Sequence, residues 1–260
     1  MRPLRYLILP FFLFVSAFWT SRAGEADSLY TVGAAAYGAG RHDEAIEAFS
    51  RIIEATENPT AEMYYNLAGA YFKSGNNARA ILNYERAYRL DPADRDTKFN
   101  LRLLSSRIED KIAPSPSAVV KSYVDAVTHL FTLRTWVVLS ILSFAVFCAL
   151  VLLYFLGGRK EQKLGGFYGG IFSILFALFC AVFAFKSDAF IRDVTGAVLT
   201  APVVTMTSSP DASAKEIAVL HSGLKVTVGQ RVGDYREITL ADGVVGWVPS
   251  ESLTLINPGF

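Results

Sequence analysis

Residues 135–156 read TWVVLSILSFAVFCALVLLYFL and residues 164–185 read LGGFYGGIFSILFALFCAVFAF, 22 residues each with no charge in either. At about 1.5 Å of rise per residue, such a helix reaches roughly 33 Å, enough to cross a hydrocarbon core of about 30 Å. Between the two, Gly157-Gly158-Arg159-Lys160-Glu161-Gln162-Lys163 leaves room only for a hairpin connection. Trp136, Tyr154 and Tyr168 stand near the span ends, where interfacial aromatics gather. The pair is therefore read as a transmembrane helical hairpin, spans 135–156 and 164–185. Three basic residues place the 157–163 loop in the cytoplasm by the positive-inside bias, although Arg134 and Lys186 flank the opposite side. Both large flanking segments then face the extracytoplasmic side.

Composition agrees with that reading. The chain has 260 residues, 52% of them hydrophobic and only 19% charged, with a mean hydropathy of +0.32. A soluble domain carries about 25% charged residues, so part of this chain belongs in lipid. A formal net charge of +1 argues against a general nucleic-acid binder, which needs a basic excess to displace counterions. High apolar content excludes disorder. Cys148 and Cys180 both fall inside the spans, so neither a disulfide framework nor a four-ligand zinc site can be built. The spans also lack a charged residue to mark a transport pathway.

At the N-terminus, Arg2 and Arg5 precede an apolar stretch from Leu7 to Phe18, and Ser21-Arg22-Ala23 offers small residues at cleavage spacing. Residues 1–23 are read as a secretory signal peptide, with an uncleaved anchor as the alternative. Either form requires the orientation that the hairpin loop requires.

Residues 24–112 repeat themselves at a period of about 35. Gly40-Arg41-His42-Asp43-Glu44-Ala45-Ile46-Glu47-Ala48-Phe49 matches Gly75-Asn76-Asn77-Ala78-Arg79-Ala80-Ile81-Leu82-Asn83-Tyr84: Gly, Ala five residues on, an aromatic four further. Tyr64, Leu67, Ala68 and Tyr71 occupy one face of the preceding helix. The segment closely resembles tetratricopeptide repeats, over 26–59 and 61–94, followed by a cap helix at 95–111. The resemblance implies an α-helical solenoid that holds a partner segment in the groove of its A helices. Groove candidates are Tyr65, Asn66, Phe72 and Lys73 in the second repeat, Tyr30 and Tyr37 in the first, and Asn100 in the cap. Some relatives clamp a C-terminal carboxylate with Lys and Asn. Here Asn66 matches one of those positions, but Tyr30, Ala34 and Asp96 stand where the clamp wants Lys or Asn, so carboxylate binding is not expected. With 11 basic against 14 acidic residues, the segment offers no steering charge.

Ala113-Pro114-Ser115-Pro116-Ser117 is a linker, and Val120, Tyr123, Val124, Val127, Leu130 and Phe131 follow at helical spacing. Residues 113–134 are thus a linker and an amphipathic juxtamembrane helix.

Beyond the hairpin, residues 195–257 turn to short β-branched runs. Strands are expected at 197–203, 216–220, 225–229, 236–240 and 244–248, closing into a small all-β barrel. Leu220-His221-Ser222-Gly223, Tyr235-Arg236-Glu237-Ile238 and Gly246-Trp247-Val248-Pro249 closely resemble a bacterial SH3 domain. That resemblance implies an SH3-like surface for peptides or wall glycopeptides, with Tyr235 and Trp247 as candidates.

Catalytic inventory is thin. His42, His129 and His221 lie in three different segments, and no Ser-His-Asp or Cys-His set can be assembled from one of them. No P-loop or HExxH motif is present, so no enzyme, metal site or cofactor is expected. The whole is read as a multidomain membrane protein. Its order of modules, with Ala197-Val198-Leu199-Thr200-Ala201-Pro202 leading to Ser208-Ser209-Pro210, resembles the BatE family of bacterial Bat aerotolerance operons. The resemblance implies a non-enzymatic inner-membrane scaffold. Its partners would be von Willebrand A-domain Bat membrane proteins beside a MoxR-type ATPase, in support of oxygen or stress tolerance. The alternative is a wall sensor or anchor that binds peptidoglycan through the SH3-like domain.

Overall fold

The computed structural model describes residues 29–257, which fall into two compact units, one ending at Ala87 and one beginning at Tyr88. The signal-peptide reading at 1–23 lies outside the described residues.

In the first unit, α1 (29–38), α2 (His42–Ala55), α3 (Ala61–Lys73) and α4 (Asn77–Leu90) form two helical pairs, and the last turn of α4 counts with the second unit. Each A helix ends on the glycine that the 35-residue period aligns. Gly40 and Gly75 have φ of +76° and +86°, a region costly for any residue with a Cβ. The two turns share one bonding pattern. Gly40 and Arg41 donate to the Tyr37 and Ala36 carbonyls, and Gly75 and Asn76 donate to those of Phe72 and Tyr71. Ala45, Ala48, Phe49 and Ile52 line the buried face of α2, spaced i, i+3, i+4, i+7. Ala45, Phe49 and Ile52 close a core with Ala36, Leu67 and Ala70.

After the end of α4, the second unit continues with α5 (Arg95–Ser105), capped by the Asp94 carboxylate, which accepts from the Asp96 and Thr97 amides. This helix stops at Ser105, short of the expected Lys111. Lys111 Nζ donates to the Ser105 and Ser106 carbonyls, while Ile108 and Ile112 turn aside to pack on the sheet core. After α6 (Pro116–Thr128) come α7 (Leu133–Leu156) and α8 (Lys160–Arg192), two helices long and apolar enough to cross a membrane. The connection is only Gly157–Arg159, because Lys160 to Lys163 already belong to α8. At its other end α8 continues seven residues past Phe185, about 10 Å of helix.

Small residues set the seam of this hairpin. Gly166, Gly170, Ser173, Ala177, Cys180, Ala184 and Ser187 are the buried positions of α8, spaced alternately four and three. That spacing keeps one stripe facing α7 and lets the backbones approach closely. A Cβ at Gly166 would lie 2.8 Å from the Leu150 carbonyl oxygen and the Tyr154 nitrogen. Ser143 and Ser173 then exchange hydrogen bonds, each hydroxyl donating to the other's carbonyl at 2.8 and 2.7 Å. Trp136 is not a lipid-facing belt residue. It is buried, its Nε1 donates to the Thr128 carbonyl at 3.0 Å, and its ring stacks on Phe183.

The C-terminal sheet departs from the five-stranded closed barrel. It has seven antiparallel strands: β1 (Gly196–Leu199), β2 (Val203–Thr207), β3 (Glu216–His221), β4 (Lys225–Val232), β5 (Tyr235–Thr239), β6 (Val245–Pro249) and β7 (Leu253–Leu255). Their order is β3-β2-β6-β5-β4-β1-β7, an open ladder ending at β3 and β7. All seven strands nevertheless feed one core, including Leu199, Met206, Leu220, Val226, Ile238, Val248 and Leu253, so the sheet wraps around it. The expected 197–203 strand is cut by Pro202, which has no amide to give a ladder. Thr200 and Ala201 donate instead to the Ser252 carbonyl. Gly246 earns its place by packing: a Cβ there would sit 2.6 Å from the Met206 side chain and 3.0 Å from the Thr207 oxygen.

Candidate partner-binding site

In the first unit, α1 and α3 bring together two of the groove candidates. Asn66 Nδ2 donates to the Tyr30 hydroxyl at 3.1 Å, and that hydroxyl donates to Glu62 Oε1 at 2.9 Å. The Glu62 bond keeps the Tyr30 phenol protonated, raising its pKa above the ordinary tyrosine value. Glu62 was not among the sequence candidates. It stands one turn before Asn66, so the i, i+4 spacing on one helix face was its signal.

The other candidates are divided between packing and exposure. Tyr37 stacks edge-on against His42 and abuts the core, and Tyr65 meets Tyr84 edge-on at 5.4 Å. Phe72 is half-buried and Lys73 is exposed at the end of α3. Asn100 stands on α5, in the second unit. The Tyr30–Asn66–Glu62 relay and the exposed Lys73 thus remain the candidates on α1 and α3.

Residues 26–95 match the tetratricopeptide repeat family. The chain therefore contains tetratricopeptide repeats, a fold that serves protein–protein interaction. No curated protein is similar enough to the chain to count as a match.

On the sheet, Tyr235 is half-buried and lines a surface groove of about 620 Å3 with Val203, Thr205, Pro249 and Glu251. Trp247 is half-buried on β6, opposite Glu237 and Thr207 in the ladder, and does not line that groove.

Two polar clasps organise the second unit, and spacing along the chain foretold neither. The buried Arg89 guanidinium donates to the Phe190 and Asp193 carbonyls at the C-terminal end of α8, and pairs with Asp193 Oδ2 at 3.0 Å. It thereby meets carbonyls that a helix end leaves without partners. Burial opposes ionisation of Asp193, but hydrogen bonds from Thr195 and Arg89 and the Arg89 charge outweigh it and hold that carboxyl below the usual range. In the second clasp, Asp110 accepts the His221 amide at 2.6 Å and meets His221 Nδ1 at 3.0 Å, with Glu109 near Nε2. A carboxylate only accepts, so Nδ1 carries the proton.

Proposed function

We propose that this chain is a non-enzymatic adaptor of a bacterial inner membrane, anchored by α7 and α8, whose repeats and SH3-like sheet domain bind protein partners on the periplasmic side. The supporting observation for the anchor is bare apolar surface. Phe155, Phe172 and Phe185 are 72–77% exposed, and Trp136 is the one buried residue of α7. A surface of that kind needs lipid or a partner to cover it. The exposed Val120 and Tyr123 of α6 extend it toward the interface. Arg159, Lys160 and Lys163 between the spans support a cytoplasmic turn.

For the repeats, the family match supports binding of a partner segment, and the Tyr30–Asn66–Glu62 relay favours one that presents donors or positive charge. The module order supports a Bat-type complex, with von Willebrand A-domain membrane proteins as partners in oxygen or stress tolerance. Mild crosslinking of the tagged chain in native membranes, followed by mass spectrometry, tests this. Such proteins should be recovered with the wild type and lost with Glu62→Ala/Asn66→Ala. Equal recovery with the double variant would remove the repeats from the interaction.

The groove around Tyr235 supports a second reading, a peptidoglycan anchor. In that case detergent-solubilised full chain pellets with isolated sacculi and Tyr235→Ala does not; a chain that stays in the supernatant disposes of this reading.

A further inference from the structure

The second unit contains a cavity of about 630 Å3 where the end of α6, the end of α8 and strands β4 and β5 converge. That volume lies within the roughly 300–1,000 Å3 of small-ligand sites. Its lining carries Arg89, Lys121, Lys186 and Lys225 together with Asp125 and Asp193. Arg89 and Asp193 neutralise each other, and Lys121 and Lys186 remain in the lining with Asp125.

His129 lines the same space and is 7% exposed. Its Nδ1 meets the Tyr88 hydroxyl at 2.7 Å, and its buried Nε2 has no hydrogen-bond partner. A buried polar atom left unmatched costs stability, and a ligand acid group or its bound water would match it. Thr128, Thr227 and Thr239 add hydroxyls to the lining.

The position of the lysines narrows the ligand. Lys186 is the first charge after the 22 uncharged residues of the second span, which puts its ammonium at the edge of the hydrocarbon, the depth of lipid phosphates. Lys121 stands on α6 beside Val120 and Tyr123, both largely exposed and apolar. From these placements we infer that the cavity binds the phosphate group of an anionic phospholipid, held by Lys121 and Lys186. The inference rests on the membrane placement proposed above. A water-soluble phosphate compound has the same chemistry, and the test separates the two.

The full chain, purified in non-ionic detergent, is examined by native mass spectrometry with phosphatidylglycerol, with phosphatidylcholine, and with inorganic phosphate. Phosphatidylglycerol should be retained in preference to phosphatidylcholine. Lys121→Gln and Lys186→Gln should each weaken retention about fivefold, while Lys215→Gln, an exposed lysine outside the cavity, should not. Lys121 and Lys186 are themselves exposed, so circular-dichroism melting of their variants should match the wild type. Retention of inorganic phosphate with no lipid preference would overturn the lipid assignment in favour of a soluble phosphate compound. Equal retention of both lipids by wild type and variants, with no phosphate bound, would overturn the site. Alkaline-carbonate extraction of native membranes reads the membrane placement separately: a chain that washes off defeats the anchor, and the phosphate arm still reports on the cavity.

Discussion

At the scale of single residues, the second unit depends on contacts between groups far apart in sequence. His221 and Asp110 are 111 positions apart. The hydrogen bond to Asp110 raises the His221 pKa above its ordinary value of 6.5; partial burial opposes this and the Glu109 charge assists it. The folded-state pKa is the higher one, so the clasp contributes fully below about pH 6.5 and fades as pH rises through the raised value. Proteolysis between Arg107 and Ser115 should therefore accelerate as pH rises from 6 to 8, and His221→Ala should be fast at both; a rate that ignores pH in the wild type would refute the clasp. Arg89 makes a larger contribution because it is buried, and removing it strands helix-end carbonyls and Asp193. Arg89→Ala should cost about 3 kcal/mol in a thermal melt, less than a fully buried pair because Asp193 keeps some solvent. A loss under 0.5 kcal/mol would show that water replaces the guanidinium. Neither clasp was legible beforehand. Arg89 reads as an ordinary solvated position of a repeat helix, and a lone His in a turn carries no sign of its partner.

At the scale of elements, legibility followed periodicity. The 35-residue period located Gly40 and Gly75, whose positive φ the turns require, and the uncharged runs located α7 and α8. The seam between those helices was also written there, as small residues alternating at four and three from Gly166 to Ser187, but bare hydropathy hides it because Gly and Ala score near neutral. Strand β2 was missed for another reason: Val204 and Met206 point inward while Val203 and Thr205 are exposed, an alternation cut short by the Ser208-Ser209-Pro210 turn. The tight seam is testable. Gly166→Ala places a methyl against the Leu150 and Tyr154 backbone and should destabilise the hairpin by about 1–3 kcal/mol, lowering its midpoint in an SDS titration. Gly165→Ala, whose Cβ meets nothing within 4 Å, serves as the control. An unchanged midpoint for Gly166→Ala would mean that the helices part readily there. On the sheet, Gly246→Ala should likewise lower the melting temperature, because β6 then cannot lie against Met206.

At the scale of the whole molecule, if α7 and α8 cross a membrane as proposed, the three residues that join them put both flanking segments on one side, so one charge comparison orients everything. The turn and the first residues of α8 carry Arg159, Lys160 and Lys163 with only Glu161 against them. At the other ends Arg134, Lys186 and Arg192 are basic, but Asp188 and Asp193 stand beside the last two, and Arg192 Nε is already paired with Asp188 at 2.9 Å. Retention of positive charge in the cytoplasm therefore favours the turn, and does so by a small margin, because acidic residues contribute little to that rule. Alkaline phosphatase fused after residue 260 should be active, and the same enzyme inserted between Gly157 and Gly158 should be silent. A small margin also predicts sensitivity. Replacing Arg159, Lys160 and Lys163 together with Gln leaves Arg134, Lys186 and Arg192 as the nearest basic residues, and part of the population should then invert, giving activity in the inserted fusion. If the inserted fusion stays silent in the triple variant, the N-terminal segment alone dictates orientation and the turn charges are passengers. If the fusion after residue 260 is silent in the wild type, the periplasmic placement of both binding modules falls, and with it the proposed access to a periplasmic partner.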